Sequence, residues 1–184
     1  MKETEVRGQL EPADVGDFIE SLVALKFKLQ RMGGMEDVLF DHPNLELKSK
    51  GQKLRIRYYS DTATGELCWK GRKYFMHNKK SREEWQAETK DVISSYKILE
   101  KLGFIRQKVI VRKIQVYHRF KDGYSVTCRI EEFPKMPGLV LAEIEGTKSG
   151  IDWTMAKLGL TGSKQFGPYT LNSFLKKYEK GVQL

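Results

Sequence analysis

Two pairs of glutamates lie two residues apart in the sequence: Glu3 with Glu5, and Glu143 with Glu145. In a β-strand this spacing puts both carboxylates on one face, about 7 Å apart along the strand. Carboxylate oxygens are the ligands that Mg²⁺ and Mn²⁺ prefer in proteins. Both pairs are therefore candidate ligands of a divalent metal ion.

One basic pair has the same spacing. Arg55 and Arg57 share a face of the alternating segment 54–58, and Leu54, Ile56 and Tyr58 lie on the other face. Guanidinium groups bind phosphate oxygens, often with two parallel hydrogen bonds. Simple nucleic-acid binding would need only basic groups. Acidic and basic strands in one sheet instead suit a complex of a metal ion with a polyphosphate.

A simpler interpretation exists for each strand taken alone, because a sheet with one face in water also alternates charged and apolar residues. The repeated acidic pairs, together with the basic pair, favour a binding site over a hydrated surface. If the sheet closes into a barrel, the charged faces point inward. Buried charges of one sign would then repel each other, whereas mixed charges with a metal ion and a polyphosphate would compensate one another.

Hydrophobic periodicity predicts the elements that carry these residues. Alternation with period two predicts strands, and apolar residues at helical spacing predict helices. The pattern indicates an antiparallel α+β fold, with a barrel flanked by helices as one form. The turns 61–65 and 121–123 look like hairpin connections, and Gly33–Gly34 is interpreted as a bend or loop. The predicted strands are 3–7, 54–58, 67–70, 82–86, 109–119, 125–133 and 139–145, and the predicted helices are 12–25, 91–102, 149–158 and 171–178.

Composition limits the class of protein. A chain of 184 residues with 40% hydrophobic residues is long enough to bury a core, and we expect one domain over residues 1–184. Its longest apolar runs have four residues, such as 139–142, whereas a membrane-spanning helix needs about 20. Residues 1–5 lack the apolar stretch of a signal peptide, and two distant cysteines predict neither disulfides nor a zinc site. We therefore expect a cytoplasmic protein that does not bind membranes.

Short motifs follow one another along most of the chain, beginning with ETEVR (3–7), LFDHP (39–43) and GQKLRIR (51–57). Their order resembles that of the CYTH domain. That superfamily of triphosphate tunnel metalloenzymes includes class IV adenylyl cyclases, thiamine triphosphatases and inorganic triphosphatases. Each motif alone is weak, but the ordered set clearly resembles this family. The similar segments are ETEVR (3–7, family ExExK), LFDHP (39–43, YFDTP), GQKLRIR (51–57, GxxLRIR), LCWKG (67–71, LTWKG), REE (82–84, RxE), LGF with VRK (102–104 and 111–113), AEIE (142–145, LEIE) and LGL with Tyr169 (158–160).

This resemblance implies an eight-stranded antiparallel β-barrel with helices outside. It also implies an enzyme that binds a triphosphate together with Mg²⁺ or Mn²⁺. The implied phosphate-binding residues are Arg7, Arg55, Arg57, Lys70, Arg82 and Lys113. The implied metal ligands are Glu3, Glu5, Glu143 and Glu145, joined by Glu84 and Glu131. The residues predicted to take part directly in catalysis are Glu5, Arg57, Lys70 and Lys113.

Several positions depart from the family pattern, and three of them concern charged residues. Arg7 replaces a lysine, Gln115 stands where the family often has an arginine, and Glu131 stands where an aspartate is common. The same inward-facing residues serve hydrolysis and cyclisation of a triphosphate, so they do not separate the two reactions. We favour hydrolysis, because no base-binding pocket is recognisable in the sequence. The choice of triphosphate and the oligomeric state, including a homodimer, are left open.

An alternative function uses the basic surface alone. The net charge of +9 also suits a non-catalytic module that binds polyphosphate or nucleic acid. The run 70–82 interleaves basic and aromatic residues, as nucleic-acid patches do. We interpret this run as a solvated loop and predict core packing for Trp69 and Trp85. The acidic pairs argue against a pure polyanion binder, so nucleic acid is the less favoured partner.

Overall fold

A computed structural model of the chain describes residues 2–121 and 123–179. A three-residue 3₁₀ turn, Pro12–Asp14, precedes the first helix. In chain order the elements are β1 (Lys2–Leu10), α1 (Val15–Ala24), β2 (Lys28–Asp41), α2 (Glu46–Ser49), β3 (Lys53–Tyr59), β4 (Thr64–Lys70), β5 (Tyr74–Met76), β6 (Lys79–Thr89), α3 (Val92–Lys101), β7 (Ile105–Lys121), β8 (Tyr124–Glu132), β9 (Val140–Gly146), α4 (Lys148–Lys157), β10 (Phe166–Gly167) and α5 (Leu171–Glu179).

Eight of the described strands are hydrogen-bonded in an order that closes on itself. The order is β1–β9–β8–β7–β2–β3–β4–β6, and β6 pairs again with β1. The short strands β10 and β5 add to β1 and β6. The fold is therefore a closed eight-stranded antiparallel β-barrel with helices outside, and the fold class predicted from the sequence is confirmed.

Within this fold the described residues form two compact units. The first unit contains residues 2–3, 33–74 and 82–112. The second unit contains residues 4–32, 75–81, 113–121 and 123–179. Each unit has an apolar core and a set of buried charged side chains of its own.

The core of the first unit lies between α3 and the strands β3 and β4, which the helix contacts. Leu54 and Ile56 of β3 point into this core together with Leu99 of α3. The helix begins after Asp91, whose side chain accepts a hydrogen bond from the backbone N–H of Ser94 at 2.9 Å. Because side chains alternate along a strand, the apolar contacts of Leu54 and Ile56 leave the intervening arginines on the opposite face of β3.

The core of the second unit lies under α1 and α4. Phe18 and Leu22 of α1 pack with apolar residues of β1, β8 and β9, and Phe18 stacks on Phe166 of β10 with ring centroids 6.4 Å apart. Gly8 of β1 allows this arrangement, because a Cβ there would lie 2.4 Å from the Phe166 ring. The apolar face of β1 therefore packs against α1 and β10, while its glutamates lie on the other face.

The predicted bend at Gly33–Gly34 is wrong, because both glycines lie within the 14-residue strand β2. Gly34 accepts a backbone hydrogen bond from Ser60 at 3.0 Å, and a Cβ on Gly34 would lie 2.8 Å from the Ser60 hydroxyl. These glycines thus permit a close approach of β2 to the β3–β4 turn. The short helix α2 was not predicted either.

The four predicted helices are confirmed with small shifts at their ends. The predicted 61–65 turn is confirmed by the pairing of Tyr59 with Thr64. The 121–123 turn includes Asp122, which lies outside the described residues, but Lys121 pairs directly with Tyr124. Trp69 packs against the first core as predicted, whereas Trp85 is 63% exposed. Helix α3 packs on β3 and β4. Trp85 lies on β6, where its indole N–H donates to Glu83.

Candidate active site

The first unit contains a cluster of four charged residues, in which three arginines surround Asp37 of β2. The Arg57 guanidinium donates from Nε to Asp37 Oδ1 at 2.7 Å and from Nη2 to Oδ2 at 3.0 Å. Arg112 of β7 forms an ion pair with the same carboxylate, and Arg55 Nη1 lies 3.5 Å from its Oδ2. Burial would raise the pKa of Asp37, but the three guanidinium groups outweigh it and hold this pKa well below its ordinary value.

A second group of charges in the same unit is centred on Glu3 of β1. Lys70 Nζ lies 2.7 Å from Glu3 Oε1 and 2.6 Å from Glu84 Oε2. Arg82 Nε donates to Glu3 Oε2 at 2.8 Å. Glu3, Lys70 and Arg82 are all buried. Residues predicted as phosphate ligands and residues predicted as metal ligands therefore contact each other directly.

Glu66, Cys68 and Glu84 form a further small group, which the sequence did not reveal as a whole. Their oxygen and sulfur atoms lie within 4.8 Å of one another. The Cys68 thiol donates to Glu84 at 3.0 Å, and burial raises the pKa of this thiol to about 12. Arg55 Nη2 lies 3.3 Å from Glu66 and 3.8 Å from Glu84. A neutral thiol and a neighbouring guanidinium make this group an ion-paired network.

The second unit contains its own buried cluster, centred on Arg7 of β1. Arg7 Nη1 donates to Glu131 Oε2 at 2.6 Å, and its Nη2 forms an ion pair with Glu143. Arg129 of β8 donates to the other oxygen of Glu143 at 2.5 Å. Glu5 Oε1 lies 3.9 Å from Arg7. Side chains from β1, β8 and β9 thus meet on one face, because directly paired residues of neighbouring strands share a face.

Strand register explains how the glutamates of this cluster come together. Glu5 pairs directly with Glu145, and Arg129 pairs directly with Glu143. Glu5, Glu131 and Glu143 are buried, and Glu145 is half-buried. The structure therefore brings four of the six predicted metal ligands onto this face of the second unit. The other two, Glu3 and Glu84, lie in the first unit.

The sequence places Lys79 and Lys80 in a solvated loop, and this prediction is wrong. Both are buried at the start of β6. Lys80 forms an ion pair with Glu5, and Lys79 forms one with Asp152 of α4. Consecutive residues of a strand point to opposite faces, so one lysine joins the charged cluster and the other reaches a helix.

Lys113 does not join either cluster. It is exposed, whereas its neighbour Arg112 is 2% exposed and binds Asp37. The register of β7 with β8 sets Ile114 opposite Glu131 and Lys113 opposite Glu132. Ile114 therefore shares the charged face with Glu131. Arg112, two residues before Ile114, lies on that face of β7 as well, whereas Lys113 lies on the other. Arg112 therefore replaces Lys113 as the candidate on this strand.

Lys113 lines a cavity of about 460 Å³ on the second unit. This cavity is bounded by the 133–140 segment and by Pro12 and Val15, and Glu132 also lines it. It includes neither Arg7 nor any of the buried glutamates of that unit. The buried ion pairs, rather than this largely apolar cavity, therefore mark the candidate active site.

The buried carboxylates fit a divalent metal ion. Glu5, Glu131 and Glu143 provide hard oxygen donors, which suit Mg²⁺ or Mn²⁺. In the structure their charges are balanced by Arg7, Arg129 and Lys80. A metal ion would have to compete with these basic groups unless an anionic ligand drew them away.

Comparison with known families agrees with the geometry. A sequence model of the CYTH domain matches residues 1–136, about three quarters of the chain. The chain belongs to the CYTH family. Among curated proteins, none matches this CYTH sequence.

Several solved structures share the CYTH barrel of this chain. The protein PH1012 of Pyrococcus horikoshii OT3 is 21% identical, with a TM-score of 0.70 over 91% of this chain and 96% of the other. HpAC1 of Hippeastrum, an adenylyl cyclase candidate with a dominant triphosphatase activity, is 16% identical, with a TM-score of 0.70 over 100% and 98%. An adenylate cyclase candidate from Vibrio parahaemolyticus is 12% identical, with a TM-score of 0.73 over 95% and 97%. At these identities the likeness establishes the fold.

The helices of this CYTH chain are short. Within residues 2–121 and 123–179, none is long and apolar enough to cross a membrane. Cys68 and Cys128 are both free and buried. The cytoplasmic location and the single domain over residues 1–184 stay predictions.

Proposed function

We propose that the chain is a divalent-metal-dependent enzyme that binds a triphosphate and hydrolyses it. One observation carries this proposal: buried strand faces hold acidic and basic side chains in direct contact, in both compact units. Burying so many charges is costly unless they are paired. A ligand that brings both phosphate oxygens and a metal ion would supply partners for both signs.

In this proposal the basic residues of each unit bind phosphate oxygens. Arginine suits this role because its planar fork matches two oxygens at once. Phosphoryl transfer needs little covalent chemistry from the protein, so positioning and charge neutralisation provide most of the catalysis. The proposed phosphate ligands are Arg55, Arg57, Lys70, Arg82 and Arg112 in the first unit and Arg7, Lys80 and Arg129 in the second.

The carboxylates of Glu5, Glu131, Glu143 and Glu145 would hold the metal ion, and Glu3 and Glu84 would contribute in the first unit. When bound, Mg²⁺ or Mn²⁺ neutralises phosphate charge and activates the attacking water. Glu5 also keeps Lys80 in place through their ion pair. The Hippeastrum relative, with its dominant triphosphatase activity, is the reason to test hydrolysis first.

The test is a product screen with the whole chain. Tripolyphosphate, thiamine triphosphate and ATP are offered with Mg²⁺ or Mn²⁺, and phosphate, pyrophosphate and cyclic nucleotide are measured. We expect release of phosphate from at least one compound and complete loss of turnover with EDTA. Cyclic AMP with pyrophosphate as the main products from ATP would replace hydrolysis by cyclisation.

Variants separate the charged clusters from the rest of the chain. Arg57→Ala in the first unit and Glu143→Gln in the second should each reduce turnover at least a hundredfold. Arg119→Gln is the matched control, because Arg119 is a buried arginine whose Nε donates to the backbone carbonyl of Leu25 rather than to a carboxylate. Turnover that persists in both cluster variants, or binding of single-stranded nucleic acid without any triphosphate turnover, would contradict the proposal.

A further inference from the structure

Asp37 is a negative charge among the residues proposed to bind an anion. Only 3% of it is exposed, and its two oxygens contact guanidinium groups from two strands, β3 and β7. Asp37 pairs directly with Arg57 in the β2–β3 register. A carboxylate in this place would repel a phosphate group, so its presence needs another physical reason.

Asp37 has more guanidinium neighbours than its two oxygens can serve. Those of Arg55, Arg57 and Arg112 all contact this one carboxylate. Arg55 has further contacts with Glu66 and Glu84, yet its buried Nε–H has no hydrogen-bond partner. Each guanidinium carries five N–H donors, more than the two oxygens of Asp37 can accept. The remaining donors suit an additional anion with several oxygens.

The geometry at Arg57 shows what the carboxylate does. Two parallel bonds, at 2.7 and 3.0 Å, fix the plane of the guanidinium, and not only its distance. Arg112 meets the oxygen of Asp37 that also accepts from Arg57 Nη2. Without a shared acceptor, three like charges at this separation would repel each other and turn apart.

We infer that Asp37 is a positioning residue, which holds Arg55, Arg57 and Arg112 in one orientation so that their remaining N–H groups can bind phosphate oxygens of the triphosphate. This role rests on the proposed function. It is distinct from catalysis, because Asp37 would touch the arginines and not the reacting atoms. The sequence did not point to Asp37, because the glycines at 33–34 are typical of a bend and not of the strand that contains Asp37.

The direction in which Asp37→Asn changes the affinity for tripolyphosphate separates an effect of orientation from an effect of charge. Asp37→Asn is nearly isosteric and makes the net charge of this cluster more positive by one. If charge alone governs binding, the variant binds tripolyphosphate more tightly than the wild type. If orientation governs binding, it binds more weakly, because an amide has one acceptor oxygen, and its NH₂ group faces guanidinium N–H donors.

The experiment measures tripolyphosphate binding by calorimetry, without metal and below the melting temperature of every variant. We expect Asp37→Asn to lose at least tenfold in affinity and Asp37→Glu to fall between it and the wild type. In steady-state assays the loss should appear mainly in KM. Asp41→Asn is the matched control, because Asp41 lies on the same strand, is buried, and accepts hydrogen bonds from the backbone N–H groups of His42, Leu47 and Lys48.

Each outcome has a distinct meaning. If the wild type itself binds no triphosphate, the proposed function fails. If the wild type binds and Asp37→Asn binds equally or more tightly, the positioning role is overturned while the proposed function stands. If Asp37→Asn does not fold, Asp37→Glu decides alone, since it keeps the net charge but displaces the carboxylate. Unchanged affinity in that variant overturns the positioning role, and a loss of at least threefold supports it.

Discussion

Replacing Arg7 by glutamine should raise the affinity of the chain for a bare metal ion. Arg7 binds Glu131 at 2.6 Å and also pairs with Glu143, so it occupies oxygens that we propose as metal ligands. Removing this positive charge takes one competitor of the metal away from both carboxylates. Most enzyme variants weaken metal binding, so an increase would be specific to this ion-pair arrangement.

The magnitude follows from the contacts. Two unit charges about 4 Å apart attract by about 4 kcal/mol at an effective dielectric constant near 20. Lys80 and Arg129 remain, and water would relax part of the change, so we expect about a third of that value. This corresponds to about a tenfold tighter binding of Mn²⁺. Without metal, the variant should unfold more easily by about 3 kcal/mol, because removing one partner of a buried ion pair is strongly destabilising.

The assay is calorimetric titration of Mn²⁺ into the wild type and Arg7→Gln, with urea unfolding in the presence and absence of Mn²⁺. Arg119→Gln serves as control, since it removes a buried arginine that stacks on Trp153 and should destabilise the fold without changing Mn²⁺ affinity. The metal assignment is refuted if Arg7→Gln is folded, by circular dichroism, and binds Mn²⁺ no more tightly than the wild type. With tripolyphosphate present the gain should vanish, because Arg7 is then lost as a phosphate ligand.

Three further outcomes are expected. Arg57→Ala should reduce kcat/KM about 100- to 1,000-fold, a loss of about 2.7 to 4 kcal/mol in transition-state stabilisation. Lys113→Ala should change kcat/KM less than twofold, and the reverse order in steady-state assays would restore Lys113 to the site. The pKa of Asp37 is lowered in the folded state, so its stabilising effect should be complete above about pH 4 and decline as the pH falls towards the folded value. Urea midpoints between pH 6 and 2.5 check this, and a wild-type curve parallel to that of Asp37→Asn would contradict it. Cys68, with a pKa of about 12, should resist a thiol reagent at pH 8 until urea is added, and rapid labelling of the native chain would count against its burial.

Much of the barrel was predictable because its strands obey period-two alternation. In β3, the two arginines alternate with Leu54 and Ile56, which pack in the first core, so sequence alone separates the two faces. The acidic pairs of β1 and β9 behave in the same way. Local pattern is sufficient wherever one face of a strand is wholly apolar.

The residues that sequence missed depend on long-range pairing. In β7, Arg112 and Lys113 are adjacent and both basic, so alternation cannot tell which one is buried. The choice is made by register with β8, where Glu131 faces Ile114. Lys79 and Lys80 look like a polar loop because their partners, Asp152 and Glu5, lie 73 and 75 residues away. No local signal could have revealed either contact.

Strand β9 lies outside the residues that the family model matches, yet the barrel needs it. The family match ends at residue 136, but β9 begins at Val140 and pairs with both β1 and β8. A fragment trimmed to the matched residues would lack the strand between these two and expose a row of unpaired N–H and C=O groups on each. Such a fragment should aggregate rather than form a smaller barrel. Domain boundaries taken from sequence similarity are therefore unsuitable for expressing this protein, and a useful fragment must extend at least through β9.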